Sequence, residues 1–98
     1  MNLNQLTVPS LDLTKAVPFY VKLGLKLIVE SLPDYARFEC PDGHSTFSIH
    51  RTDILPKGAV ISIYFECINL DEYVNELIKK GIEFDQKPAN QKLLWREA

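Results

Sequence analysis

Apolar and polar residues alternate from Leu3 to Pro9, with Leu3, Gln5, Thr7 and Pro9 on one side and Asn4, Leu6 and Val8 on the other. A period of two is that of a β-strand, and Pro9 ends it or marks a sheet edge. The period then changes. Leu13, Ala16, Val17, Tyr20 and Leu23 or Gly24 fall on one stripe at helical spacing. Asp12 stands where a helix N-cap belongs and Gly24 where a left-handed stop belongs. Pro18 lies inside the pattern, removes one backbone hydrogen bond and predicts a bent or shortened helix. Three short strands follow: Lys26–Glu30, Tyr35–Cys40 and Ser45–Arg51. In the second of them Ala36 and Phe38 share one side, and Tyr35, Arg37 and Glu39 the other. The turns between them are Ser31-Leu32-Pro33-Asp34 and Pro41-Asp42-Gly43, the latter with a glycine suited to a positive φ.

The pattern then recurs. A shift of 57 residues carries Asp12 to Asn69, Leu13 to Leu70, Ala16 to Tyr73, Tyr20 to Leu77, Gly24 to Gly81 and Leu25 to Ile82. Repeats of this kind set the architecture. Val60–Glu66 corresponds to the first strand. A second helix is predicted over Leu70–Lys80, capped by Asn69, stopped by Gly81 and striped by Leu70, Tyr73, Val74, Leu77 and Ile78. A strand over Ile82–Gln86, a polar loop over Lys87–Lys92 and the start of another strand over Leu93–Ala98 complete the chain. The predicted class is α+β: one domain, residues 1–98, made of two βαβββ modules (residues 1–52 and 59–98) joined by a linker at 53–58. Under the shift Phe38 maps onto Trp95, and the Pro41-Asp42-Gly43 turn maps just past Ala98, so the second module is expected to lack its last strand. An open sheet edge invites pairing with another chain, and with so small a core this predicts a homodimer.

Composition narrows the partners. A net charge of −2 argues against nucleic acid, and no apolar run approaches the length of a membrane span. The first residues, Met1-Asn2-Leu3-Asn4-Gln5, do not resemble a signal peptide. Cys40 and Cys67 fit no metal-ligand spacing and read as buried thiols of a reducing, cytoplasmic compartment.

In this order the segments Leu3–Pro9, Asp12-Leu13…Ala16…Phe19-Tyr20…Leu23-Gly24-Leu25 and Pro41-Asp42-Gly43 resemble the vicinal oxygen chelate superfamily, the glyoxalase, bleomycin-resistance and extradiol dioxygenase group. The second half adds Tyr64-Phe65-Glu66-Cys67…Leu70…Leu77…Lys80-Gly81-Ile82…Phe84 and Trp95-Arg96-Glu97-Ala98. The resemblance covers nearly the whole chain. It implies sheets curled around a cleft, with a divalent metal held there by side chains from the first and fourth strands of each module. The first-strand position falls on Gln5, a weak ligand, and in the second module on Ser62, a poor one. The fourth-strand position, four residues after Gly43, falls on Phe47, which cannot bind a metal, and its counterpart lies past Ala98. One weak candidate, Gln5, in four positions does not make a metal site. No metal or other cofactor is therefore expected.

Several side chains compete for a functional role. Gln5, Thr7, Ser62 and Tyr64 share the parity that would face the cleft, as a polar strip able to orient a ligand or as interior groups bonded to one another. Glu66 shares that parity and is a base only if desolvated. Phe47, Tyr64 and Trp95 could form an aromatic wall for a flat ligand. Ser45, Phe47 and Ile49 are expected to line the cleft, which turns His50 to the helix-packed side or to a frayed strand end; His44 follows a turn and is expected to be exposed. Arg37, Arg51 and Arg96 could each pair with an acidic ligand group, although lone strand arginines are usually solvated. The expected ligand-binding set is Gln5, Thr7, Phe47, Ser62, Tyr64 and Trp95, with no catalytic residue. The resemblance points first to a metal-free small-molecule binder of the bleomycin-resistance type, taking an apolar or planar ligand. A metal-dependent lyase, isomerase or dioxygenase and a ligand-free structural or regulatory module are the alternatives.

Overall fold

The computed structural model describes residues 1–55, 57, 58, 61–86, 88–90, 96 and 97. The chain divides into two compact units, Met1–Ala59 and Val60–Ala98. The fold is α+β.

The first unit runs β1 (Gln5–Ser10), α1 (Leu13–Leu23), β2 (Lys26–Ser31), β3 (Tyr35–Glu39) and β4 (Thr46–Arg51). Its four strands form one mixed sheet in the order β1-β4-β3-β2. β1 pairs parallel with β4, β4 antiparallel with β3, and β3 antiparallel with β2. The parallel β1–β4 pair follows from the crossover that α1, β2 and β3 supply, since parallel neighbours need a long connection.

Helix α1 begins and ends on the expected residues. The Asp12 carboxylate accepts the Thr14 backbone N–H at 3.0 Å, satisfying one of the first-turn donors. At the other end Gly24 sits at φ 108°, a left-handed conformation, and the Leu25 N–H closes back onto the Tyr20 carbonyl at 3.2 Å. The helix runs through Pro18 without interruption, contrary to the expected shortening. Its buried stripe explains this. Leu13 and Val17 are buried on it and Leu25 just beyond it. At roughly 1.5–3 kcal/mol for each large side chain removed from water, such burial offsets the helix bond that Pro18 forgoes.

α1 packs on β3 and β4. Tyr20 reaches Phe47 and Phe38 with ring centroids 4.8 Å and 5.6 Å apart. Ala36, Phe38, Phe47 and Ile49 complete a core on this side of the sheet. Here a sequence-based expectation fails. Phe47 and Ile49 are buried beneath the helix and do not line the opposite face. The ladder gives the reason: Leu6 lies beside Phe47 and Val8 beside Ile49, while Gln5, Thr7 and Pro9 lie beside Thr46, Ser48 and His50. Matching apolar parities across the strands puts all of the first set against α1, and His50 on the other, polar face, where it is exposed.

In the second unit α2 (Leu70–Lys79) is capped by Asn69, whose side chain accepts the Glu72 N–H at 3.4 Å. Gly81 follows it at positive φ, 92°. Val74, Leu77 and Ile82 are buried, whereas Ile78, expected on the buried stripe, is half exposed. The strand expected over Val60–Glu66 is not formed at 61–66, and Val60 lies outside the described residues. Alternation is only half of a strand; β1 has β4 to bond, and among the described residues 61–67 have no ladder. The strand expected over Ile82–Gln86 is likewise absent. Instead β5 (Ala89–Asn90), inside the expected loop, pairs antiparallel with β6 (Arg96–Glu97). Ile82 and Phe84 alternate with polar residues as a strand would, but among the described residues 82–86 have no ladder to bond.

Candidate functional site

The face of the first-unit sheet away from α1 carries two neighbouring groups of hydrogen-bonded polar side chains. Strand parity selects them: Gln5 and Thr7 from β1, Tyr35 and Arg37 from β3, Thr46 and Ser48 from β4. The centre is Ser48, fully buried. The Gln5 amide donates to its Oγ at 2.8 Å, and the Tyr35 hydroxyl donates to the same oxygen at 3.0 Å. A serine oxygen has two lone pairs, and both are used here. The Gln5 Nε2 also lies 3.3 Å from Thr7 Oγ1 and 3.4 Å from Tyr35 Oη. Satisfying a buried hydroxyl in this way avoids the desolvation cost of leaving it bare, and it locks the amide and the phenol into fixed directions.

Beside this cluster Arg37 lies directly opposite Ser48 in the β3–β4 ladder. Its Nη2 donates to Thr46 Oγ1 at 3.1 Å. Its Nε is buried without a hydrogen-bond partner. Arg51, on the other face, is committed elsewhere: Asp53 lies 2.6 Å and Asp34 3.6 Å from its guanidinium. Those carboxylates, Asp53 above all, raise its pKa further above the ordinary arginine value. On the helix side the Tyr20 phenol is pushed up by burial, which suits a neutral packing role.

The expected site residues scatter. Gln5 and Thr7 meet on the polar face. Phe47 is a core residue on the opposite face and cannot stack on a ligand there. Ser62, Tyr64 and Glu66 are exposed in the second unit, in the segment without a ladder. Trp95 lies outside the described residues, and the side chain of Arg96 is not among those described. His44 is exposed. The residues that the sequence reading passed over are Ser48, Tyr35 and Thr46. The alternation of β4 is written in the sequence, but which of its two sides stands beside Gln5 and Thr7 is set by the β1–β4 ladder.

The donor set does not fit a divalent metal. The groups gathered here are a neutral amide, four hydroxyls and a guanidinium, whereas sites for such ions are built from carboxylates, imidazoles or thiolates. Among the described residues no three His, Cys, Asp or Glu side chains come together. Cys40 and Cys67 are free thiols. No helix among the described residues is long and apolar enough to cross a membrane.

Comparison with known proteins bears on the whole chain. Residues 2–94 match the sequence model of the Glyoxalase/Bleomycin resistance protein/Dioxygenase superfamily. A member of that superfamily from Sphaerobacter thermophilus is similar in structure, with TM-score 0.77 and 20% identity over 98% of this chain and 84% of its own. The bleomycin resistance determinant encoded on the transposon Tn5 gives TM-score 0.74 at 16% identity, over 95% and 82% of the two chains. A lactoylglutathione lyase from Agrobacterium tumefaciens gives TM-score 0.71 at 17% identity, over 97% and 80%. No curated protein matches by sequence.

Proposed function

The chain belongs to the glyoxalase/bleomycin resistance protein/dioxygenase superfamily, and on that footing we propose that it is a small-molecule-binding protein without a resident metal. It seats an apolar or planar ligand against the polar face of the β1-β4-β3-β2 sheet. The observation that carries this reading is the hydrogen-bonded set of Gln5, Ser48 and Tyr35 on the side of the sheet away from the helix. A few fixed donors and acceptors are what orient a ligand in such a site. Tyr35, half-buried, offers ring surface for a flat molecule beside a hydroxyl already held in place. The alternative, metal-assisted lyase or dioxygenase chemistry, would need several anionic or imidazole ligands brought together, and among the described residues no three such side chains meet.

The working form is a cytoplasmic homodimer. The exposed apolar side chains of Ile61, Tyr64, Phe65 and Ile68, in a segment without a ladder among the described residues, support a second chain covering this stretch.

Thermal-shift screening against planar aromatic compounds tests the binding reading. At least one class should raise the melting temperature in proportion to the logarithm of its concentration, and Gln5→Ala should reduce that gain. A panel that stabilises nothing sinks it. Elemental analysis of the purified protein tests the metal-free part: stoichiometric nickel, zinc or iron would overturn it.

A further inference from the structure

We infer that the ligand carries a carboxylate and that Arg37 receives it; this rests on the binding reading above and adds the ligand's charge. Arg37 is the one strand arginine with a described side chain that lacks a carboxylate partner. Arg51 has Asp34 and Asp53 within 4.0 Å, and Arg37 has no ion pair among the described residues. Glu39, two residues along the same strand and on the same face, forms no ion pair with it either.

No carboxylate of this face is paired with Arg37, not even that of Glu39, which stands opposite Thr46. The groups nearest Arg37 across the ladder are the neutral hydroxyls of Thr46 and Ser48, and then the amide of Gln5 and the phenol of Tyr35. A guanidinium has five N–H donors. One bond is made, to Thr46, and Nε stands out of water with nothing to donate to. A charged donor held dry and unpaired is costly, and such a group calls for an explanation. Arg37 as a whole is only partly buried, and an incoming oxyanion there supplies the counter-charge that the neighbouring hydroxyls do not. A carboxylate suits best, because the planar fork of the guanidinium matches its two oxygens.

The register then orients the rest of the ligand. Since Arg37 lies opposite Ser48, a molecule anchored at the guanidinium extends over the Ser48, Gln5 and Tyr35 cluster. The ligand class is a planar molecule with one carboxylate at its edge.

A matched pair of probes tests this: 2-naphthoate and the neutral 2-naphthamide, titrated into the full chain, its Arg37→Gln variant and its Arg37→Lys variant. Naphthoate should bind wild type at least about tenfold more tightly, the usual worth of a charge-assisted pair. Arg37→Gln should erase that preference. Arg37→Lys, which keeps the charge and guards against a loss of fold in the first variant, should keep part of it. The Arg37 Nε–H proton resonance of wild type should move downfield with naphthoate and stay with naphthamide. Equal affinities in wild type, or a preference that survives Arg37→Gln, would overturn the inference and leave the binding reading standing. Failure of both probes, together with a silent aromatic panel, would remove both.

Discussion

The side-chain amide of Gln5 donates to the hydroxyl of Ser48 at 2.8 Å, joining residues 43 apart in sequence across two parallel strands. Ser48 is fully buried and accepts from Tyr35 as well, so its removal strands two donors. Ser48→Ala should lower the unfolding free energy by about 1–2 kcal/mol, less than a dry orphan would because Gln5 and Tyr35 keep partial access to water. Urea denaturation measures it. A double-mutant cycle with Gln5→Leu should show coupling; strictly additive effects would mean that the bond contributes nothing.

Phe47 separates a core role from a ligand role. It is buried against Tyr20 on the helix side. Phe47→Ala should cost roughly 3–5 kcal/mol, enough to unfold much of so small a protein. Phe47→Leu should lower stability by less and leave the affinity for any aromatic probe unchanged. A large affinity loss in Phe47→Leu at preserved fold would place the ring at the ligand after all.

The N-cap of α1 gives a pH signature. Hydrogen bonds from the Thr14 hydroxyl first, and from nearby backbone N–H groups, hold the Asp12 carboxyl below its ordinary value of 3.8. A depressed folded-state pKa contributes stability above the unfolded value, and that contribution disappears as pH falls through the folded value. Asp12→Ala should therefore melt below wild type at neutral pH, and the two melting curves should converge as pH falls below the ordinary carboxyl value of 3.8. Melting scans from neutral pH into acid check it, and a gap that persists in acid would mean that Asp12 acts by something other than its charge.

Assembly can be read by mass. Light scattering at tens of micromolar should report twice the 11.2 kDa of the chain. Ile61→Lys with Ile68→Lys places charge on two exposed apolar positions and should return the single-chain mass with the fold retained. A wild-type monomer would refute the dimer.

Some of this protein was decided by neighbours within the chain, and there the sequence alone sufficed. Asp12 and Gly24 set the ends of α1 because capping and positive φ are local needs, and Asn69 and Gly81 do the same around α2. The parity of β1 and β3 was also legible, since alternation is written residue by residue. Tertiary structure decided the rest. Which side of β4 turns to the helix depends on its ladder with β1 and on the Tyr20 ring, and neither is near it in sequence. Pro18 stays in its helix because side chains buried by packing outweigh one lost bond. Residues 61–67 alternate like β1 without becoming a strand, because a strand exists only by bonding a neighbour. The same distinction separates two similar arginines: Arg51 falls beside two carboxylates and Arg37 beside hydroxyls, a difference of surroundings that no local pattern encodes.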